Sequence, residues 1–393
     1  MSRSRFTRIA RRFVVAGGLG LVLGACSGSG PQTSLEPLGP AADRIDSLWL
    51  LVYVIASVVF ILVMGALVFA IIRFREKKGD ERQPIQTHGN TRLEITWTII
   101  PAVILAVITV PTVQGIFELR EEPTDPDTIH INVTGHQWWW EYEYPGFTGE
   151  DGRSLFTANE LHIPAGVPVY LTMTSADVIH SFWVPPLNGK RDVVPGSISN
   201  LILTADPAAA TVDLGFGEGV ILGQCAEFCG LSHADMRIRA FIHSQEEFQT
   251  WVDQQLQPAP VAETGPAADG FRTFTAVCTA CHQSTVQQPD GTVETVGPND
   301  FYVDIAGTEL HSALAPDLTG FNSRTTFGGA VFTNDSEHLT VWLDDPANLK
   351  PMEPQYNDIS SRRILGMPSF GLTAQEIFEL EEMLGMWGED PTP

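Results

Sequence analysis

Cys225-Ala226-Glu227-Phe228-Cys229-Gly230-Leu231-Ser232-His233-Ala234-Asp235-Met236 places two cysteines, a histidine and a methionine within twelve residues. Soft sulfur ligands suit copper, zinc or iron-sulfur clusters, and a Cys/His set with a weak axial methionine is the pattern of electron-transfer copper. Zinc sites draw on Cys, His and carboxylates instead. One copper needs one thiolate, so the second cysteine, four residues on, points to two thiolates bridging two ions. Two ions need two histidines. His233 is in the loop, and His180 is the candidate for the other, in Ser175-Ala176-Asp177-Val178-Ile179-His180-Ser181-Phe182-Trp183-Val184-Pro185, which reads as strand and strand-edge loop.

From 127 to 244, β-branched and aromatic residues alternate between Gly, Pro and Asp punctuation, as in Thr128-Ile129-His130-Ile131-Asn132-Val133 and Val167-Pro168-Val169-Tyr170-Leu171-Thr172-Met173. This is the pattern of an antiparallel barrel or sandwich. With Gly135-His136-Gln137-Trp138-Trp139-Trp140 upstream, the chain resembles subunit II of the haem-copper cytochrome c oxidases. The resemblance implies an all-β cupredoxin Greek-key barrel holding a binuclear copper centre, CuA. Cys225 and Cys229 would bridge the ions, His180 and His233 would each cap one, Met236 would be a weak axial ligand and the Glu227 backbone carbonyl the other. It further implies that the Glu227 side chain reaches a magnesium or manganese ion at the interface with subunit I, since hard cations take oxygen. Trp138 would be an exposed indole through which electrons enter, and Asp177 an acid near the donor-docking face. Trp139 stands where the family usually has tyrosine. His130, His136, His162 and His243 read as strand or surface histidines.

Five cysteines are present, and each has a task without a disulfide. Residues 1 to 25 combine Arg3, Arg5, Arg8, Arg11 and Arg12 with an apolar run, an export signal rather than a spanning helix. Leu23-Gly24-Ala25-Cys26 resembles a bacterial lipobox, which implies acylation of Cys26 and a membrane-lipid anchor; ordinary signal cleavage with an idle cysteine is the alternative. Leu48 to Ile72 is 25 residues without charge, enough for a ~30 Å hydrocarbon core, and Arg73, Arg75, Lys77 and Lys78 follow it. A second apolar stretch runs from about 95 to 116. The basic loop stays inside, which puts the N-terminus and the large domains on the outer side of a bacterial plasma membrane. Pro101 and Pro111 suggest that this transmembrane hairpin packs on another protein. Glu94 sits where the second helix leaves the cytoplasmic face. The resemblance implies a proton-uptake mouth there, and an interfacial acid at a helix N-terminus is the other reading.

Residues 101 to 393 hold 11 Lys/Arg against 40 Asp/Glu. Such a field can steer a basic protein partner or simply keep a surface solvated, and it offers nucleic acid nothing. After the Pro-rich stretch 258–266, Cys278-Thr279-Ala280-Cys281-His282 is the C-x-x-C-H signature of covalent haem c, with His282 as proximal ligand. A redox C-x-x-C would need a βαβ context, and none is legible. By resemblance, Met367 in Met367-Pro368-Ser369-Phe370 is the distal ligand, with Met352 as competitor, and the carbonyl of Pro316 orients the proximal imidazole. The segment 283–315 exceeds a minimal cytochrome c and has no legible task. His311 and His338 read as surface or structural.

The expected organisation is a signal peptide (1–25), an exported segment (26–46), a transmembrane hairpin (47–118), a copper domain (119–257), a linker (258–266) and an all-α class I cytochrome c domain (267–393). That order resembles the caa-type oxidases. It implies a subunit that takes electrons from cytochrome c or a bc complex at its c-type haem and passes them through CuA to subunit I, beside a subunit III. There oxygen is reduced to water and protons are pumped. The rivals are the electron-entry subunit of a CuA-containing nitric oxide reductase and a membrane-tethered electron carrier. A quinol-oxidase subunit is disfavoured because that relative lacks the copper ligands.

Overall fold

The computed structural model describes residues 30, 32–75, 86 and 88–389; Cys26, Lys77 and Lys78 lie outside them. Helices α1 (Pro40–Arg73) and α2 (Thr91–Glu118) form the hairpin. At 1.5 Å per residue they measure ~50 and ~40 Å, more than a ~30 Å core requires. Both begin before the uncharged stretches seen in the sequence. The extra turns of α1 are anchored on the β domain. Pro40 suits the first helical turn, where its missing N–H has no partner to lose. Ala41 and Ala42 are buried, and Leu38 exchanges 2.8 Å backbone hydrogen bonds with Pro186 and Asp206. Gly39 is obligatory here, since a Cβ would sit 2.0 Å from the Thr204 carbonyl oxygen. Helix α2 starts where the Asn90 side chain accepts from the amides of Arg92 and Leu93. Arg44 Nε donates to Glu118 Oε2 at 3.0 Å, tying the outer ends together. Phe60, Leu62, Trp97 and Leu105 stay exposed, a surface that lipid or a partner must cover.

The β domain is a two-sheet sandwich. Strands β1 (Ile129–His136), β2 (Trp139–Thr148), β3 (Ser154–Ala158), β5 (Val169–Ser175) and β8 (Ser199–Leu203) form one sheet, in the order β3-β2-β1-β5-β8. The other runs β4-β10-β9-β6-β7, from β4 (Glu160–Pro164), β6 (His180–Trp183), β7 (Arg191–Val193), β9 (Val220–Cys225) and β10 (Arg237–His243). Pairs β1/β5 and β4/β10 are parallel, and the remaining neighbours antiparallel. Trp140, Tyr142, Tyr144, Phe182, Leu161 and Ile163 fill the space between the sheets, all fully buried. Helix α3 (Gln245–Gln255), opened by a Ser244/Glu247 capping box, closes one end with Phe248, Trp251 and Val252.

The C-terminal region is not all helical. Helices α4 (Pro266–Val277) and α6 (Ala374–Leu384) cross at Gly270, where a Cβ would lie 2.1 Å from the Glu379 carbonyl. Helix α5 (Ser336–Asp344) packs beside them. Residues assigned to a linker are partly structural: β11 (Ala259–Pro260) pairs with β12 (Ser284–Gln287), and Ala259 is buried in the C-terminal core. The segment 283–315 forms two hairpins, β12 with β13 (Val293–Val296) and β14 (Tyr302–Ile305) with β15 (Thr308–His311).

These hairpins clamp the two domains together. Arg153, in the β2–β3 turn, bonds Asp300, Asp317, Thr285 and Gln283. Fully buried Glu141 of β2 accepts from His136 Nε2 at 2.8 Å, from His311 Nδ1 and from the Ala313 amide at 3.0 Å. Buried Glu160 takes the hydroxyls and amides of Thr325 and Thr326. His311 is therefore an interface residue, and His136 an internal one. Burial opposes both charges in the Glu141–His311 pair but is outweighed: His311 holds the Glu141 carboxyl well below the usual carboxylate range, and Glu141 with Asp300 pushes His311 up to about 9.

Because the folded value for His311 lies above the ordinary ~6.5, its contribution is complete below that pH and is lost as pH rises through about 9. Glu141→Gln is expected to destabilise the docked C-terminal region by about 3 kcal/mol and to flatten this alkaline loss, since it removes one partner of a buried pair. Thermal unfolding of the full chain at stepped pH measures both; an unchanged alkaline limb would show that the pair does not hold the interface.

Candidate metal centre and the adjoining cleft

Strand β9 ends at Cys225 and strand β10 begins at Arg237, so the loop between them is tethered by two hydrogen-bonded neighbours. The Cys225 amide donates to the Met236 carbonyl at 2.9 Å, closing the loop at its base. Inside it, Cys225 Sγ lies 3.8 Å from Cys229 Sγ and 3.9 Å from His180 Nδ1. Cys229 Sγ lies 3.6 Å from His233 Nδ1 and 3.8 Å from Met236 Sδ. The Glu227 carbonyl faces Cys225 Sγ at 3.2 Å, while its side chain is exposed. All six expected donors thus meet in one place. Among the described residues, His180, Cys225 and Cys229 offer ligand atoms within 4.8 Å of one another, close enough to hold a metal ion. A hydrogen bond from the Cys229 thiol favours the Cys225 thiolate and pushes it down to about 3, and that hydrogen bond, burial and the charge of Cys225 push Cys229 upward. A cation between them removes that conflict, so the donor set fits a bridged pair of copper ions.

Asp177 has a structural task that the sequence reading missed. Its Oδ1 accepts from His180 Nε2 at 2.8 Å and from the Val178 amide, and its Oδ2 accepts from the Gln137 amide. Half-buried rather than displayed for a partner, it turns the other imidazole nitrogen, Nδ1, toward the sulfurs. The clue was available in the i, i+3 spacing of Asp177 and His180.

Trp138 departs from expectation. It is 4% exposed, covered by the C-terminal region rather than open to solvent. Its Nε1 donates to the Cys229 carbonyl at 2.9 Å, as does Gln137 Nε2 at 2.8 Å, so the turn before β2 grips the copper loop. On its other side Trp138 lines an apolar cleft of about 1360 Å³, open side included, shared with Cys278, Cys281, His282, Met352 and Met367. His282 Nδ1 bonds the Pro316 carbonyl at 2.8 Å. Of the two methionines, Met367 packs with the C-terminal core beside Cys278, whereas Met352 packs against the β-domain core. Glu94 stands apart, exposed in the first turn of α2.

The family described as cytochrome c oxidase subunit II, periplasmic domain, matches residues 129–242, and its transmembrane domain matches 36–114. A cytochrome c oxidase subunit 2 of Alkalihalophilus pseudofirmus is 34% identical over 360 residues, covering 90% of this chain and 94% of the relative. The chain belongs to the cytochrome c oxidase subunit II family. A quinol oxidase subunit 2 of Bacillus cereus is 34% identical over 248 residues, covering 61% of this chain and 78% of the relative. The crystal structure of the periplasmic domain of subunit II of cytochrome oxidase of Bradyrhizobium japonicum is 29% identical and covers 33% of this chain and 94% of that one, with a TM-score of 0.27. Membership makes the chain a component of a haem-copper oxidase, with a role in electron transfer and subunit I as partner. It also makes it a membrane protein with two membrane helices and a periplasmic β domain, and implies a CuA site, for which the His180/Cys225/Cys229 group is assembled.

Asp177→Asn is expected to weaken copper binding about 10- to 100-fold, the effect typical of losing a ligand's hydrogen-bond partner, while the β fold persists. Chelator competition read beside far-UV circular dichroism checks this. Native affinity in the variant would show that packing alone orients His180.

Proposed function

We propose that this subunit II carries a covalent haem c in its C-terminal domain, a class I cytochrome c enlarged by the 283–315 hairpins, and that this haem is the port by which electrons reach CuA. The observation that carries the reading is the cleft itself: the C-x-x-C-H residues and Met367 face the buried Trp138, whose indole bonds the copper loop. Cys278 and Cys281 are free thiols, suited to thioether formation. His282 is held by Pro316 for proximal ligation, and Met367 is the distal ligand. Buried Arg324 lines the same cleft with an Nε that has no protein partner among the described residues, which fits an anionic haem edge. Cys225, Cys229, His180, His233, Met236 and the Glu227 carbonyl hold the copper pair. When bound, haem and copper supply the one-electron couples between an external donor, a cytochrome c or a bc complex, and subunit I, where oxygen becomes water with proton pumping. The protein's task is to position and tune these groups.

The remaining assignments follow the same reading. The exposed Glu227 side chain faces subunit I and contributes to a magnesium or manganese site. Glu94 lies at the mouth of a proton-uptake route, Cys26 bears lipid, and the hairpin packs on subunit I in a bacterial plasma membrane with subunit III nearby. Two thiols and two imidazoles at the loop support the cytochrome c branch over the quinol branch.

Optical and EPR spectra of the complex from native membranes should show a c-type haem and a mixed-valence copper pair, with oxygen uptake driven through the haem. Met367→Leu should abolish the methionine-ligated spectrum, and Met352→Leu should retain it. Nitric oxide turnover without oxygen uptake would instead support the reductase reading, and the absence of partner haems a tethered carrier.

A further inference from the structure

Lys350 is 4% exposed and has no carboxylate partner among the described residues. A buried cation without a counter-charge is costly, so its retention calls for a cause. Its Nζ donates to three backbone carbonyls from three separate segments: Trp138 at 2.8 Å, Asp235 at 3.0 Å and Gly328 at 3.0 Å. The first belongs to the turn gripping Cys229, the second precedes Met236, and the third lines the cleft. Three donors on one ammonium match three acceptors, leaving none of its protons unused.

The surroundings are shaped to this contact. Gly329 has φ +89°, and a Cβ there would lie 2.3 Å from the Asp235 carbonyl oxygen and 2.5 Å from Lys350 Nζ. The Gly329 carbonyl accepts from the Arg237 amide at 2.9 Å, and Ser232 donates its hydroxyl to the Pro351 carbonyl. Residues 328–329 and 350–351 are therefore laid directly along the copper loop. Burial pushes the ammonium down to about 7, with Asp235 and Cys229 opposing.

We propose that Lys350 is the positioning residue of the interdomain electron step: its ammonium pins the Trp138 turn, the copper loop and the haem-cleft turn into one unit and sets a positive charge between the two redox centres. This rests on the haem c reading above. With Cys278, Cys281, His282 and Met367 holding the haem and the 225–236 loop with His180 holding copper, the step would pass one electron from ferrous haem to oxidised copper, with no bond or proton exchanged. A fixed cation between the centres favours the reduced form of each, so removing it lowers both midpoint potentials.

The test compares wild-type complex with Lys350→Met, Lys350→Gln and Lys350→Arg at about pH 6, where the ammonium is charged. Haem and copper contents are measured first. Absence of covalent haem from the wild type would defeat the haem c reading itself, independently of Lys350. With both cofactors present, Met and Gln variants should lower both potentials and slow haem-to-copper transfer by about tenfold, as misplacement of positioned groups does. Arg should restore the potentials. Amide hydrogen exchange in 232–237 and 326–330 of the chain before metal loading should quicken in Met and Gln. Should the Met variant fail to assemble, Gln carries the comparison, and Gly329→Ala opens the same cradle with Lys350 intact. Unchanged potentials and exchange in the neutral variants would overturn the proposal and leave Lys350 a filler of the interface.

Discussion

Two sulfurs held 3.8 Å apart at the end of a β sandwich cannot both carry charge without a cation between them, and the exported part of the chain is arranged around that constraint. Strands β9 and β10 fix the ends of the loop, β6 delivers His180, and Asp177 turns its ring. The Cys229 carbonyl is held by both Gln137 and Trp138. Paired strands and buried hydrogen bonds hold the donor atoms in place. Such preorganisation limits the rearrangement that accompanies a change in charge.

The second domain extends the same logic. Glu141 and Glu160 are carboxylates of the β domain buried beneath the C-terminal region, and both take donors from it. Docking excludes water from both acids, and the donors of the C-terminal region take its place. Arg153 reaches the opposite way, to Asp300 and Asp317 of the C-terminal region. Docking covers Trp138 and places the C-x-x-C-H cleft beside the copper loop.

Much of this was legible from residue types. The loop 225–236 carries its chemistry within a few residues, and the uncharged run 48–72 announces its helix. The Pro316 carbonyl on His282 was expected and is found. Less legible were contacts between residues far apart in the chain. Nothing near Glu141 hints at His311, 170 positions away, and nothing near Lys350 hints at three carbonyls from other segments. The hairpins of 283–315 had no legible purpose because their partner surface lies on another domain. The helices also run beyond their apolar stretches, since Pro40 and Asn90 start them at turns that tertiary contact and capping stabilise.

The amino-acid sequence by itself determined the donor atoms of the 225–236 loop, because ligand softness depends on residue identity and short spacing. It likewise determined the two apolar helices, since length and absence of charge suffice for a membrane span. Only the tertiary structure decided that Trp138 is covered, that Asp177 orients the His180 ring and that Lys350 joins three backbone segments. Those outcomes depend on which buried polar groups meet across a domain interface, and that pairing is selected by desolvation over the whole fold rather than by any local pattern.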